Sequence, residues 1–303
     1  MSDMTRKKKP IYKRVWFWAI IVVLVIFFML PSSDSKKEIN STDTKENGST
    51  AATETTIEEQ ILFDHDGVKI TAKEYVTDSV WGEGIKLLIE NDGDKTVGVS
   101  CDDLIVNDYM MSNMFSTSVA PGKKVNETLD LFSSELEAAG ITNVGQVEIQ
   151  FYLYDEETYE TTYTAELVTI KTSNYENMDT TPDDAGQELY NEGGIRIVGK
   201  YVDEDSFWGS AVLLYMENNS GRDVVISSED LSVNGYMITS LLSSQVNDGK
   251  KCIDEITLFS ESLEENNIES IEDIELRFEI LDPDTYETIT STEMITFETI
   301  ENE

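Results

Sequence analysis

The chain has 303 residues and a formal net charge of −38. A surface so acidic repels phosphate backbones and argues against nucleic acid as a partner. It also disfavours anionic wall polymers, although screening over about 8 Å at physiological salt weakens that repulsion. Two cysteines are too few for a disulfide scaffold.

The N-terminus sets the expected address. Arg6, Lys7, Lys8, Lys9, Lys13 and Arg14 gather against a single acid, Asp3. An unbroken apolar run, VWFWAIIVVLVIFFML, then begins at Val15 and ends at Leu30. At 1.5 Å per residue it spans about 24 Å, a thin crossing of a hydrocarbon core of about 30 Å. Lys13 and Arg14 suit snorkelling, and Trp16 and Trp18 suit an interface belt. The run is long for a signal-peptide core, and Ser33 and Ser35 make a poor cleavage site. The expectation is an uncleaved single-pass anchor over residues 15–31. Its basic tail, residues 1–14, stays in the cytoplasm and everything after the anchor is exported. Residues 32–60 are polar and low in apolar side chains, so they read as a disordered tether.

The rest of the chain contains one stretch twice. Trp81 matches Trp208 and Phe132 matches Phe259, both at an offset of 127 residues. At that offset roughly a third of the positions are identical without a gap. The densest match is DLIVNDYM against DLSVNGYM, followed by Gly122-Lys123-Lys124 against Gly249-Lys250-Lys251. Each module, expected over residues 61–173 and 194–303, is long enough to bury its own core.

Period-2 alternation predicts strands. Val147, Ile149, Phe151 and Leu153 alternate with polar or tyrosine positions, and Ile274, Leu276, Phe278 and Ile280 repeat the pattern. Ile85, Leu87 and Ile89 match Val212, Leu214 and Met216, and Val68 and Ile195 are expected to open each module's first strand. Asn234-Gly235 is a two-residue hairpin turn, with Asn107-Asp108 in its place in the first copy. Asp282-Pro283-Asp284-Thr285 puts proline where its fixed φ fits a turn. The fold class is all-β: two tandem antiparallel β-sandwich modules of about eight strands each. Each carries one short helix, with Ser133 and Ser260 as expected N-caps and Gly140 and Asn267 closing the C-terminal end. Residues 174–193 are polar and acidic, and predict a linker that leaves the two modules in limited contact.

Val119-Ala-Pro-Gly-Lys-Lys, with Leu129 and Leu131-Phe132 after it, resembles a turn-and-core signature of immunoglobulin-like ectodomains. These are uncharacterised repeats attached to membrane anchors or lipoprotein signals on Gram-positive surface proteins. The D-L-x-V-N-x-Y-M stretch resembles a repeat of the same group. The resemblance covers both modules and implies an immunoglobulin-like sandwich at a cell surface. It implies no activity and no site residues.

Chemistry is sparse. His65 is the only histidine, so any catalytic set built on histidine must use it. One His and two cysteines are too few for zinc. Asp64 and Asp66 begin a calcium-loop pattern, but Lys73 stands where the loop needs its bidentate Glu. Cys101 and Cys252 share strand parity with core residues of separate modules and are expected as free buried thiols. No catalytic residue, metal or cofactor is expected. The candidate partner surfaces are Trp81 and Trp208, which stack on a ligand or cap the core, and the pairs Lys123-Lys124 and Lys250-Lys251, which grip an anion or mark a solvated turn. A third is the group Tyr152, Tyr154, Tyr159 and Tyr163 on or near the wet face of the last hairpin, an aromatic platform for sugar or protein. The expected function is therefore a membrane-anchored extracytoplasmic binding or scaffold protein with a protein or glycan partner, and not an enzyme. The alternative is an accessory or sensor subunit of an envelope membrane complex.

Overall fold

The computed structural model describes residues 54–79, 81–206 and 209–298. The basic tail, the anchor run and most of the tether lie outside the described residues, as does Trp208. Among the described residues no helix is long and apolar enough to cross a membrane.

The fold is predominantly β, built from antiparallel sheets packed face to face. In the first half, β1 (Gln60–His65), β2 (Val68–Ser79), β3 (Gly82–Asn91) and β7 (Lys123–Phe132) form one sheet in that order. The facing sheet is centred on β4 (Val97–Val106) and β8 (Gln146–Asp155). It carries β5 (Tyr109–Met110), β6 (Ser116–Val119), β9 (Thr161–Thr164) and β10 (Val168–Lys171) around them. The inward residues of both sheets make one core: Ile85, Leu87, Ile89, Leu129, Leu131, Val147, Ile149 and Phe151 are all buried. Burial alternates strictly along β8, as the period-2 pattern predicts.

The second half repeats this 127 residues on. The strands β11 (Gln187–Glu192), β12 (Ile195–Ser206), β13 (Gly209–Asn218) and β18 (Lys250–Phe259) form its first sheet. The facing sheet holds β14 (Val224–Val233), β15 (Tyr236–Met237), β17 (Ser243–Val246), β19 (Asp273–Leu281), β20 (Thr288–Ser291) and β21 (Ile295–Glu298). A short β16 (Ser240–Leu241) pairs with β18. Register is conserved to the residue: Val68 faces Asn91 and Ile195 faces Asn218, while Gly82 faces Phe132 and Gly209 faces Phe259.

Local chemistry explains the shared backbone. Asn107 and Asp108, and likewise Asn234 and Gly235, all take positive φ, so each pair forms the two-residue turn that asparagine and glycine tolerate. The Asn107 Oδ1 accepts from Gly145 N–H and Gln146 N–H, and Asn234 Oδ1 accepts from Glu272 N–H and Asp273 N–H. Buried Asn91 donates through Nδ2 to the carbonyls of Lys95 and Val119 at 2.8 and 2.7 Å. Asn218 does the same to Arg222 and Val246 at 2.8 and 2.7 Å. Each clamps a loop across the sandwich, satisfying carbonyls that burial would otherwise leave unpaired.

Several expectations are revised. Helices α1 (Ser133–Ala138) and α2 (Ser260–Glu265) begin one residue earlier than the serine caps require. Phe132 and Phe259 occupy the N-cap positions in extended conformation without a side-chain bond, because the helix is a direct continuation of the preceding strand. Gly140 and Asn267 hold positive φ at the C-terminal ends, as expected. Each half has a strand before the one expected to be first, and β11 falls within the stretch expected as linker. The reason is a β-bulge in both strands, which breaks the alternation that would have marked them.

The remaining connector is packed rather than free. Met178 covers Gly145, where a Cβ would stand 2.6 Å from its side chain. Asp183 pairs with Lys200 at 2.9 Å and Asp184 with Arg196 at 2.7 Å. The halves also meet directly. The edge strand β5 of the first half pairs in parallel with the edge strand β18 of the second, Tyr109 opposite Lys251 and Met110 opposite Cys252. Eleven strands thereby form one continuous sheet. Tyr109, Ala139, Val198 and Tyr215 make a small core at this seam. Limited contact between modules is thus corrected to a built junction.

Candidate functional site

The aromatic platform expected in the first half is present, with a changed membership. Tyr152 and Tyr154 project from β8 on its outer side, two residues apart and therefore on one face. Their ring centroids lie 6.1 Å apart. Tyr159 joins them from the β8–β9 turn, its ring stacked on Tyr154 at 6.1 Å and 17°.

The turn is built by Asp155. Its Oδ1 accepts from Glu157 N–H and Thr158 N–H at 2.9 and 3.0 Å, and those bonds hold its carboxyl below the usual range. Tyr159 N–H then bonds the Asp155 carbonyl at 2.8 Å, leaving Tyr159 at φ 59°. A left-handed conformation is uncommon for a bulky residue. Here it swings an exposed ring over its neighbour, and Tyr159 remains 75% exposed.

Tyr154 lies flat because of what it covers. Gly98 on β4 is its direct cross-strand partner, and a Cβ added there would meet the ring at 2.2 Å. The Tyr154 hydroxyl and Ser116 Oγ share a hydrogen bond of 3.0 Å. The three rings line an open cleft of about 620 Å³, closed on its polar side by Asp102, Ser116, Thr161 and Thr164. The arrangement offers apolar ring faces beside hydroxyls and one carboxylate, which suits a ligand that is itself amphipathic.

The fourth tyrosine does other work. Tyr163 stacks on His65 at 3.8 Å and packs edge-on against Phe63 at 5.8 Å, so it belongs to the sandwich margin. His65 also sits 3.3 Å from the Asp66 carboxylate. Asp66 and Gly67 take positive φ and form the β1–β2 turn, which accounts for the acidic run there. Among the described residues no group of three or more His, Cys, Asp or Glu is arranged to hold a metal ion.

Trp81 is 55% exposed and meets Phe132 edge-on at 6.0 Å. It flanks a second, smaller hollow of about 240 Å³ that shares Ser116 with the tyrosine cleft. It does not cap the core. The two lysine pairs have separate fates. Lys123 and Lys124 are exposed at the start of β7, with Lys124 bonded to Glu90. Lys250 is half-buried at the seam between Asp108, at 3.0 Å, and Glu148. Burial pulls its pKa down, but the bonds from both carboxylates outweigh this and leave it raised. Lys251 lies over the Tyr109 ring at 5.4 Å. Both cysteines are free and buried; burial pushes Cys101 up to about 12 and Cys252 well above its ordinary value, so neither is a ready nucleophile.

Sequence reasoning missed Gly98, Ser116 and the two threonines. Only cross-strand register brings them beside the tyrosines, and alternation along a single strand does not carry it. A glycine within an alternating strand was the available signal.

No protein-family model matches the chain, and no curated protein does. Among solved structures it is similar to the exo-chitosanase CsxA of Amycolatopsis orientalis at 10% identity and a TM-score of 0.24. That match covers 77% of this chain and 26% of the chitosanase. It is also similar to a protein of unknown function from Porphyromonas gingivalis W83 at 9% identity and a TM-score of 0.19. This second match covers 72% and 89% of the two chains.

Proposed function

We propose that the chain is a membrane-anchored extracytoplasmic binding protein whose first module takes a neutral glycan in the tyrosine cleft. Two immunoglobulin-like modules stand outside the cell, and the run from Val15 to Leu30 holds them there with the basic tail in the cytoplasm. The observation that carries the binding reading is the convergence of Tyr152, Tyr154 and Tyr159 on one cleft, with Gly98 keeping Tyr154 flat. Aromatic faces stack on the C–H faces of sugar rings, and Ser116, Thr161 and Thr164 supply hydroxyls for the sugar's own. The strong negative charge of the chain, with Asp102 in the cleft, disfavours an anionic polysaccharide. Binding rather than catalysis is the reading because the single histidine is stacked on Tyr163 and does not line the cleft.

The test is calorimetric titration of the detergent-solubilised chain with neutral oligosaccharides, alongside Tyr154→Ala. Binding that Tyr154→Ala weakens by about tenfold, the worth of one aromatic contact, supports the cleft. Equal binding by both chains, or none with any neutral glycan, refutes it.

A further inference from the structure

The Tyr-Met pair of the repeated motif stands in two different situations. In the first half, Tyr109 and Met110 form β5 and dock on the β18 edge of the second half. Tyr109 is only 3% exposed there. In the second half the same pair, Tyr236 and Met237, forms β15 by the same turn, but 52% and 65% of the two residues face solvent. Among the described residues β15 pairs only with β14. The matching acceptor is also open. The strand β7, counterpart of β18, pairs only with β3 among the described residues. The chain therefore carries one complete junction inside itself, an unused donor at one end and an unused acceptor at the other.

We propose that β15 of one copy docks on β7 of a second copy, reproducing between molecules the β5–β18 junction found within one. Register follows from the repeat. Tyr236 comes opposite Lys124 and Met237 opposite Val125, as Tyr109 and Met110 stand opposite Lys251 and Cys252. Lys251 N–H donates to the Asp108 carbonyl at 2.9 Å in the internal junction, and Lys124 N–H meets the Gly235 carbonyl in the external one. Charge complementarity is retained in part. Lys250 is held by Asp108 and Glu148, whose counterparts are Gly235 and Glu275, so one carboxylate remains for Lys123. Lys123 and Glu275 are both exposed and make no ion pair with each other or another described residue. Lys124, bonded to Glu90 in the single copy, must leave that carboxylate to lie over the Tyr236 ring as Lys251 lies over Tyr109.

The contact is heterologous, since donor and acceptor are different surfaces, and such contacts run head to tail into rings or open chains. It is also weaker than the internal one. Val198, Tyr215 and Ile253 under Tyr109 correspond to Thr71, Leu88 and Asn126 under Tyr236, a less apolar bed. The internal junction has the added advantage of a tether, which raises the effective concentration of its partner to about the millimolar range. The proposal stands apart from the glycan reading, because β7 and β15 do not include Tyr152, Tyr154 or Tyr159.

The experiment is oxidative crosslinking of the full chain in its membrane. One tagged copy carries Met237→Cys and a differently tagged copy carries Val125→Cys; Cys101 and Cys252 are buried in both, and the unsubstituted chain is the control. The expected result is a disulfide-linked species bearing both tags. It falls at least about tenfold when Tyr236→Asp is added to the first copy or Lys123→Glu to the second. A chain carrying both cysteines gives a ladder beyond the dimer. Tyr236 and Lys123 are solvent-exposed, so these variants keep the fold, and an unchanged thermal melt checks it. Absence of the two-tag species in well-folded chains overturns the proposal. So does a product joining two Met237→Cys copies to each other, which means a two-fold contact.

Discussion

Tyr109 and Tyr236 are one residue written twice, in one turn, on one strand, and they differ in exposure by 3% against 52%. The difference lies in what stands opposite. Tyr109 faces the β12–β13 sheet of the other half, where Val198 and Tyr215 are buried on what would otherwise be a wet face. Tyr236 faces no described neighbour of that kind. The cleft shows the opposite divergence. Tyr152, Tyr154 and Gly98 of the first half have become Glu279, Leu281 and Val225 in the second, and only Tyr159 survives as Tyr286. A duplicated fold has kept its docking edge in both copies and its aromatic cleft in one. An edge strand needs little more than a turn and an unpaired backbone, whereas a cleft depends on a particular residue at every contact.

The sharpest way to break the comparison is to truncate the two tyrosines. Tyr109→Ala should cost about 3 kcal/mol, as for other large buried side chains, and uncouple the unfolding of the two halves. Tyr236→Ala in the isolated monomer should stay within about 0.5 kcal/mol. Chemical denaturation followed with a probe in each half measures both. Equal effects would mean that the seam contributes no stability.

The lysines come next. Lys250→Ala removes the partner of two carboxylates at a mostly buried site and should destabilise by about 2 kcal/mol, below the full cost of breaking a buried pair because Asp108 is a third exposed. Lys123→Ala should leave monomer stability unchanged. The same denaturation series tests this, and a cost at Lys123 equal to that at Lys250 would contradict the assignment.

Gly98→Val writes the second half's residue into the first. The added side chain displaces the Tyr154 ring, so glycan affinity should fall by about tenfold, or 1.4 kcal/mol, with little loss of stability. Near-ultraviolet circular dichroism should show the tyrosine signal change. An unchanged affinity would remove Tyr154 from the site.

The smallest effect concerns acid. At the seam, burial raises Asp254, Asp103 and Glu135. A carboxyl raised in the folded state binds its proton there before it does so unfolded, so stability increases as pH falls from neutral toward the ordinary Asp value of 3.8. Asp155 and Asp282 are lowered by turn N–H bonds, and their contribution has the opposite sign, present at neutral pH and lost below that range. Asp254→Asn should therefore flatten the rise of melting temperature with acidification without altering the low-pH collapse. A melt series across pH measures the slope; an identical slope in the variant would exclude Asp254 as a source.

The strands, turns and repeat were legible because they depend on local chemistry. Alternation at Val147, Ile149 and Phe151 needs only a pleat with one dry face, and Asn234-Gly235 needs only a backbone that tolerates positive φ. The helix starts at Ser133, one residue before a serine cap would place it, because a strand runs straight into it. The bulged strands β1 and β11 were hidden because their burial breaks period two.

Local sequence suffices for a chain of strands in duplicate, each copy with its core face, its turns and its buried thiol. Long-range packing settles which of two identical Tyr-Met edges is covered and which tyrosines meet over Gly98. Both depend on register between strands far apart in the chain, and a one-residue slip there would reverse every face. Local propensity carries no record of such a choice; the pairing of β4 with β8 makes it for the cleft, and the packing of one half against the other makes it for the edge.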